Sequence, residues 1–166
     1  LRPFGSSTAN LSDGIVTAAH LLLPDLERGR RIDAAVLRGA MEHAFGGSDA
    51  AGAWDWKTAY DACEAATVLF MRKFGPVIRA RAGSPAAELS MLGKIAALLP
   101  SHTRRSEESQ ALQQFSTPIE LAFAAATAAA ITPADLVLEP SAGTGLLAIF
   151  AELADVIAAV FASAEV

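Results

Sequence analysis

Residues 136–148, LVLEPSAGTGLLA, constrain the fold more than any other stretch, because an apolar run, a glycine turn and a helix start follow one another directly. Leu136, Val137 and Leu138 make the compact apolar segment expected of a buried parallel strand, which Glu139 closes. Pro140 and Ser141 stop the ladder. Gly143 and Gly145 permit positive φ and a close backbone approach to a ligand. From Leu146 the chain is apolar without Gly or Pro, so a helix is expected to start near Thr144. Everything upstream reads as helical.

Three ligand classes use such a turn. A phosphate-cradling loop needs Lys and then Ser or Thr after its last glycine, whereas Leu146 and Leu147 follow Gly145. A dinucleotide fingerprint needs a Gly or Ala three residues after its second glycine. Ala148 meets that requirement, but Glu139 and Pro140 precede the glycines, and the match is weak. The third class is a cofactor with a charged amine near the strand end, for which Glu139 is a natural partner. S-adenosylmethionine fits.

The segment 138–145, LEPSAGTG, resembles the first motif of class I S-adenosylmethionine-dependent methyltransferases, in the form found in adenine-type DNA methyltransferases. QFSTP, residues 114–118, is similar to the motif that precedes a helix and then the first strand in those enzymes; here a helix expected over 118–131 separates the two. RRSEESQALQQFSTP (104–118) and WDWKTAYDACEAA (54–66) further resemble the amino-terminal part of bacterial strawberry notch-like proteins, which join a methyltransferase-like domain to a helicase. The resemblance spans most of residues 30–154. It implies that Glu139 holds the methionyl amino group of S-adenosylmethionine, that Gly143 and Gly145 form the floor beneath it, and that Pro140, Ser141 and Ala142 belong to the same cofactor-binding stretch. Phe115, Ser116 and Thr117 would border the same pocket. It also implies DNA as substrate and a helicase as partner. The alternative is an ordinary strand-to-helix turn beside a Thr-capped helix.

A whole class I domain needs several more strands, an acidic residue after the second strand for the ribose and, in the adenine type, a Pro-Pro-aromatic motif for the target amine. None is recognisable. After Ala154 the chain reads DVIAAVFASAEV, and a lone strand leaves backbone groups unpaired. The expected fold is therefore a predominantly helical domain over 1–112, followed over 113–166 by the first strand-turn-helix of an incomplete Rossmann-like methyltransferase domain. Leu1 in place of Met likewise suggests a fragment or a processed product, and the chain alone is not expected to methylate.

The formal charge of −5 opposes nonspecific nucleic-acid binding by net charge, but its distribution is uneven. Arg72, Lys73, Arg79, Arg81, Lys94, Arg104 and Arg105 face a single acid, Glu88, between Met71 and Arg105. Arg79, Arg81, Arg104 and Arg105 are the candidate DNA contacts, in a second reading of the chain as a non-catalytic helical module that binds DNA or protein. A solvated helix face explains the same pattern. Cys63 is the only cysteine, consistent with a reducing compartment. Glu152 and Asp155 interrupt the apolar run 146–162, so a soluble cytoplasmic protein with no membrane span is expected.

Residues 1–10 read as a loose arm. A first helix is expected from Leu11 to Leu23, ended by Pro24, and a second from an Asp33 cap to Phe45, stopped by Gly46 and Gly47. His43 suits its negative dipole end. Trp56, Tyr60, Cys63, Thr67, Phe70 and Phe74 alternate steps of four and three along the next helix, an aromatic stripe that reads as core. Gly75 is expected to end it, with Pro76 restarting a short turn. Ser84 and Pro85 begin another helix, ended by Pro100, and Ser106 caps a short one. Thr117, Pro118 and Glu120 form a capping-box pattern whose free amides suit the carboxylate of an amino-acid cofactor. His20, His43 and His102 lack metal-ligand spacing.

Overall fold

The computed structural model describes residues 7–100, 117–140, 142–154 and 158–160. They are mostly helical. Helices α1 (Ser7–Glu27), α2 (Ala34–Phe45), α3 (Trp56–Ala82), α4 (Pro85–Ala96) and α5 (Ile119–Ala128) precede strand β1 (Val137–Glu139), helix α6 (Ala148–Glu152) and strand β2 (Ala158–Val160).

α1 begins at Ser7, so residues 7–10 belong to a helix rather than to an arm, and it runs through Pro24 to Glu27. The expected stop at Pro24 fails because Leu22 and Leu26, one turn apart, are both buried. Each contributes about 1.5–3 kcal/mol of burial, comparable to the ~3 kcal/mol that an interior proline costs. α2 forms as its sequence indicates. The Asp33 carboxylate accepts from the amides of Ala35 and Val36, both at 2.9 Å, and Gly46 closes the helix at φ 69°.

α3 is the spine of the molecule. At 27 residues it is about 40 Å long. The expected end at Gly75 and restart at Pro76 are replaced by one continuous helix, which Gly83 terminates at φ 66°. Gly75 is a packing notch: a Cβ there would lie 2.6 Å from Cδ1 of Leu153, the residue just past α6. Glycine here makes room for the neighbour and is not needed for the backbone.

Two apolar clusters lie along this spine. The first joins α1, α2 and the N-terminal half of α3 through Leu22, Leu37, Met41, Tyr60 and Cys63, with Ile32 also buried there. The aromatic stripe of α3 is core, as its spacing predicts: Tyr60, Cys63 and Thr67 are buried, and Trp56 and Phe70 pack against the same cluster. The second joins the C-terminal half of α3 to α4, α5 and α6 through Met71, Leu92, Phe123 and Phe150. Phe123 and Phe150 meet edge to face with centroids 5.6 Å apart.

α4 starts as expected, with Ser84 Oγ accepting from the Ala87 amide at 3.3 Å, but regular helix ends at Ala96 rather than at Pro100. α5 is shorter than the expected 118–131. It begins at Ile119 with no side-chain cap, so the Thr117–Glu120 capping box does not form. Its far end is set by Thr132, whose position before Pro133 disfavours helical backbone. The Thr132 amide and hydroxyl both donate to Asp135 Oδ2 at 2.8 Å, and Ala130 turns the chain at φ 50°.

The strand of the glycine stretch is shifted by one residue. Glu139 lies inside it, and Leu136 lies outside and 79 % exposed. Leu138 is 60 % exposed, so β1 is not the buried strand its apolar composition suggests. Nor is it alone. β1 pairs in parallel with β2, Val137 opposite Ala158 and Glu139 opposite Val160. A three-residue partner within DVIAAV is too short for its periodicity to identify it. The expected domain division at 112 and the expected Ser106-capped helix lie outside the described residues. Among the described residues, no helix is long and apolar enough to cross a membrane.

Candidate functional site: the glycine turn

The turn between β1 and α6 is held from below and open above. Ala142 and Leu146 are buried, whereas Gly143 is exposed and Gly145 half-exposed. Both glycines have positive φ, 51° and 89°. The Gly145 amide donates to the Ala142 carbonyl at 2.7 Å, and the Gly145 carbonyl accepts from the Ile149 amide at 2.9 Å. A Cβ at either glycine would meet nothing within 4 Å. Glycine here therefore satisfies the backbone rather than a crowded neighbour, and leaves clear space over the peptide plane. Regular helix begins at Ala148, four residues after the expected start at Thr144, because left-handed Gly145 falls within what would have been the first turn.

α6 is pinned to the spine at three points. Arg72 Nε and Nη2 each donate to Glu152 Oε2, at 3.1 and 2.9 Å, and Nε also reaches Oε1 at 2.9 Å. Leu153 fills the Gly75 notch, and Arg79 Nη1 donates to the Leu153 carbonyl at 3.0 Å. Arg72 and Glu152 are each about half exposed, so their pairing contributes at most about 1 kcal/mol. Its value is orientation.

A further tie lies deeper. Glu64 on α3 is 6 % exposed, and its Oε2 accepts from Thr144 Oγ1 at 2.8 Å. A buried acceptor set against the turn fixes Thr144, and with it the two glycines on either side. Sequence reasoning passed over both residues. The available signal was an acidic residue set in an otherwise apolar stretch, ACEAATVLF, where a carboxylate needs a built partner.

Glu139 ends β1 half-buried, at the strand's carboxyl end beside the turn. Pro140 is exposed, and Ala142 faces the interior, where it anchors the turn. Thr117 is exposed ahead of α5. Phe115, Ser116, Ser141, Arg104 and Arg105 lie outside the described residues. The site residues that the structure brings into one place are therefore Glu139, Pro140, Ala142, Gly143 and Gly145, with Thr144 and Glu64 added. A carboxylate at a strand end, next to backbone with open space above it, is chemically fitted to a ligand that presents an amine and lies flat on the peptide planes.

Part of the described basic stretch is paired within the chain. Lys73 Nζ meets Glu27 at 2.7 Å, Arg72 meets Glu152, and Arg79 Nε stands 3.8 Å from Glu88. Arg81 and Lys94 are exposed. Comparison with protein-family models, curated proteins and solved structures found no match.

Proposed function

We propose that this chain carries the donor-binding part of a class I S-adenosylmethionine-dependent methyltransferase-like unit. The observation that carries the reading is the parallel β1–β2 pair with a left-handed Gly143–Gly145 turn between its strands, open to solvent above both glycines. Parallel pairing across a turn and helix is the arrangement in which α/β folds place ligands at strand carboxyl ends. Glu139 would take the methionyl amine, and the Gly143 and Gly145 backbone would lie under the cofactor. When bound, the cofactor supplies an activated methyl group. The resemblance adds DNA as substrate, a Rossmann-like completion of the sheet, a cytoplasmic setting and a helicase neighbour in the proteins that share these motifs.

The test is calorimetric titration of the folded chain with S-adenosylmethionine, repeated on Glu139→Ala. Saturable binding that Glu139→Ala abolishes supports the reading, and binding indifferent to Glu139 overturns it. The alternative of a helical DNA-binding module draws less support, since two of the five described basic residues in the stretch, Arg72 and Lys73, pair with acids of the same chain and a third, Arg79, donates to the Leu153 carbonyl.

A further inference from the structure

A cleft of about 460 Å³ opens where the C-terminal turns of α3, the start of α4, the end of α5 and α6 meet. Its volume is in the range of small-molecule sites. Phe123, Ala126, Ile131 and Phe150 supply apolar wall, and Arg79 and Glu88 form its polar end. Glu139 and the two turn glycines do not line it, so it is a second place on the molecule and its argument is independent of the proposed cofactor site.

Glu88 is the informative residue. It is 5 % exposed, its Oε1 is buried without a hydrogen bond, and the nearest cation, Arg79 Nε, is 3.8 Å away. A buried carboxylate is normally paired and hydrogen-bonded, because leaving it otherwise costs free energy. Arg79 does not complete the pairing. Its Nη1 is held by the Leu153 carbonyl, and its side chain is 44 % exposed, where solvent screens its charge. The unmet acceptor belongs to a side chain that lines a cleft with two aromatic rings. A ligand that fills the cleft would bury apolar surface against Phe123 and Phe150, and a donor at its polar end would supply the missing hydrogen bond once the Glu88 carboxyl group turns toward the cleft. An anionic ligand would instead face the less screened of the two charges, with the wrong sign.

We propose that this cleft binds a small organic amine, with an aromatic or branched apolar body lying against the wall that Phe123 and Phe150 form and a protonated amine donating to Glu88. The body sets affinity and the carboxylate sets orientation and charge selectivity.

Phenethylammonium is a suitable probe, with hydrocinnamate as the anion of matched shape, titrated against the isotope-labelled full chain and followed by amide chemical shifts. The expected result is saturable shifts at Ala126, Ile131 and Phe150, with an affinity of about a millimolar for so small a probe. Glu88→Gln should weaken the amine by about tenfold or more while leaving the spectrum dispersed, and hydrocinnamate should bind about tenfold more weakly than the amine. Ala126→Leu, which fills the cleft and keeps the carboxylate, should abolish binding of both and serves as the second variant should Glu88→Gln disturb the fold. Amine binding unchanged by either substitution, equal binding of the two probes, shifts confined to other regions, or no saturable shift to about 10 mM would each overturn the proposal.

Discussion

Thr144 Oγ1 donates a 2.8 Å hydrogen bond to Glu64 Oε2 across eighty residues of sequence. The bond links the middle of the long spine helix to the apex of the glycine turn, so the conformation of the turn depends on the helical part of the chain. Leaving a buried acceptor without its donor costs about 1–3 kcal/mol. Thr144→Val, equal in shape but without the donor, should lose about that amount in urea-induced unfolding, whereas Thr144→Ser should retain most of it. Equal stability of Val and Thr at this position would show that the bond does not hold the turn.

Burial raises the pKa of the Glu88 carboxyl above its ordinary value of 4.5, with nearby Arg79 opposing the rise. The folded protein then keeps this proton to higher pH than the unfolded chain does. The stability that the group contributes is full below about 4.5 and is lost as pH rises through the folded-state value. Glu88→Gln cannot ionise and escapes that loss. It should raise the melting temperature near neutral pH and leave it unchanged at about pH 4, as read from thermal melts at the two conditions. A gain of the same size at both would assign the effect to packing instead.

Ala130 is the one described non-glycine residue with positive φ, at 50°. A Cβ in the left-handed region costs about 1–2 kcal/mol. Ala130→Gly should therefore raise stability by about 1 kcal/mol, reduced somewhat by the greater entropy of glycine in the unfolded chain. Denaturant melts of the two proteins decide the sign.

Cys63 sits in the first cluster at 1 % exposure, and burial, with some help from neighbouring Glu64, pushes its thiol up to about 12. A thiol that is neither ionised nor accessible does not react. Iodoacetamide at about pH 8 should leave the native chain unmodified over hours and label it rapidly in urea. Fast labelling without denaturant would mean that the first cluster opens readily.

Much of the helical framework was legible. Asp33, Gly46 and Ser84 behave as caps because capping is a local matter of one side chain or one φ. The stripe from Trp56 to Phe74 packs in the core because its spacing puts large apolar side chains on one side of the helix, although α3 buries smaller residues around it as well. Proline and glycine misled at Pro24 and Gly75, where long-range burial of Leu26 and close packing of Leu153 outweigh local propensity. At the site, the sequence marked Glu139 and the glycines but not Glu64. A carboxylate inside an apolar helix announces that it needs a partner without naming which of many distant residues provides one.

The sequence alone determined the helical class, the capped ends of α2, the start of α4, and a strand-to-glycine-turn order in which Gly143 and Gly145 take left-handed backbone, since these follow from propensities acting over a few residues. Tertiary structure decided the rest: the parallel partner of β1, the continuous spine through Pro76, the hold of Glu64 on Thr144, and the cleft that ends at Glu88. Each of these joins segments far apart in the chain, and the free energy that selects among such meetings lies in packing and desolvation, which no local pattern records.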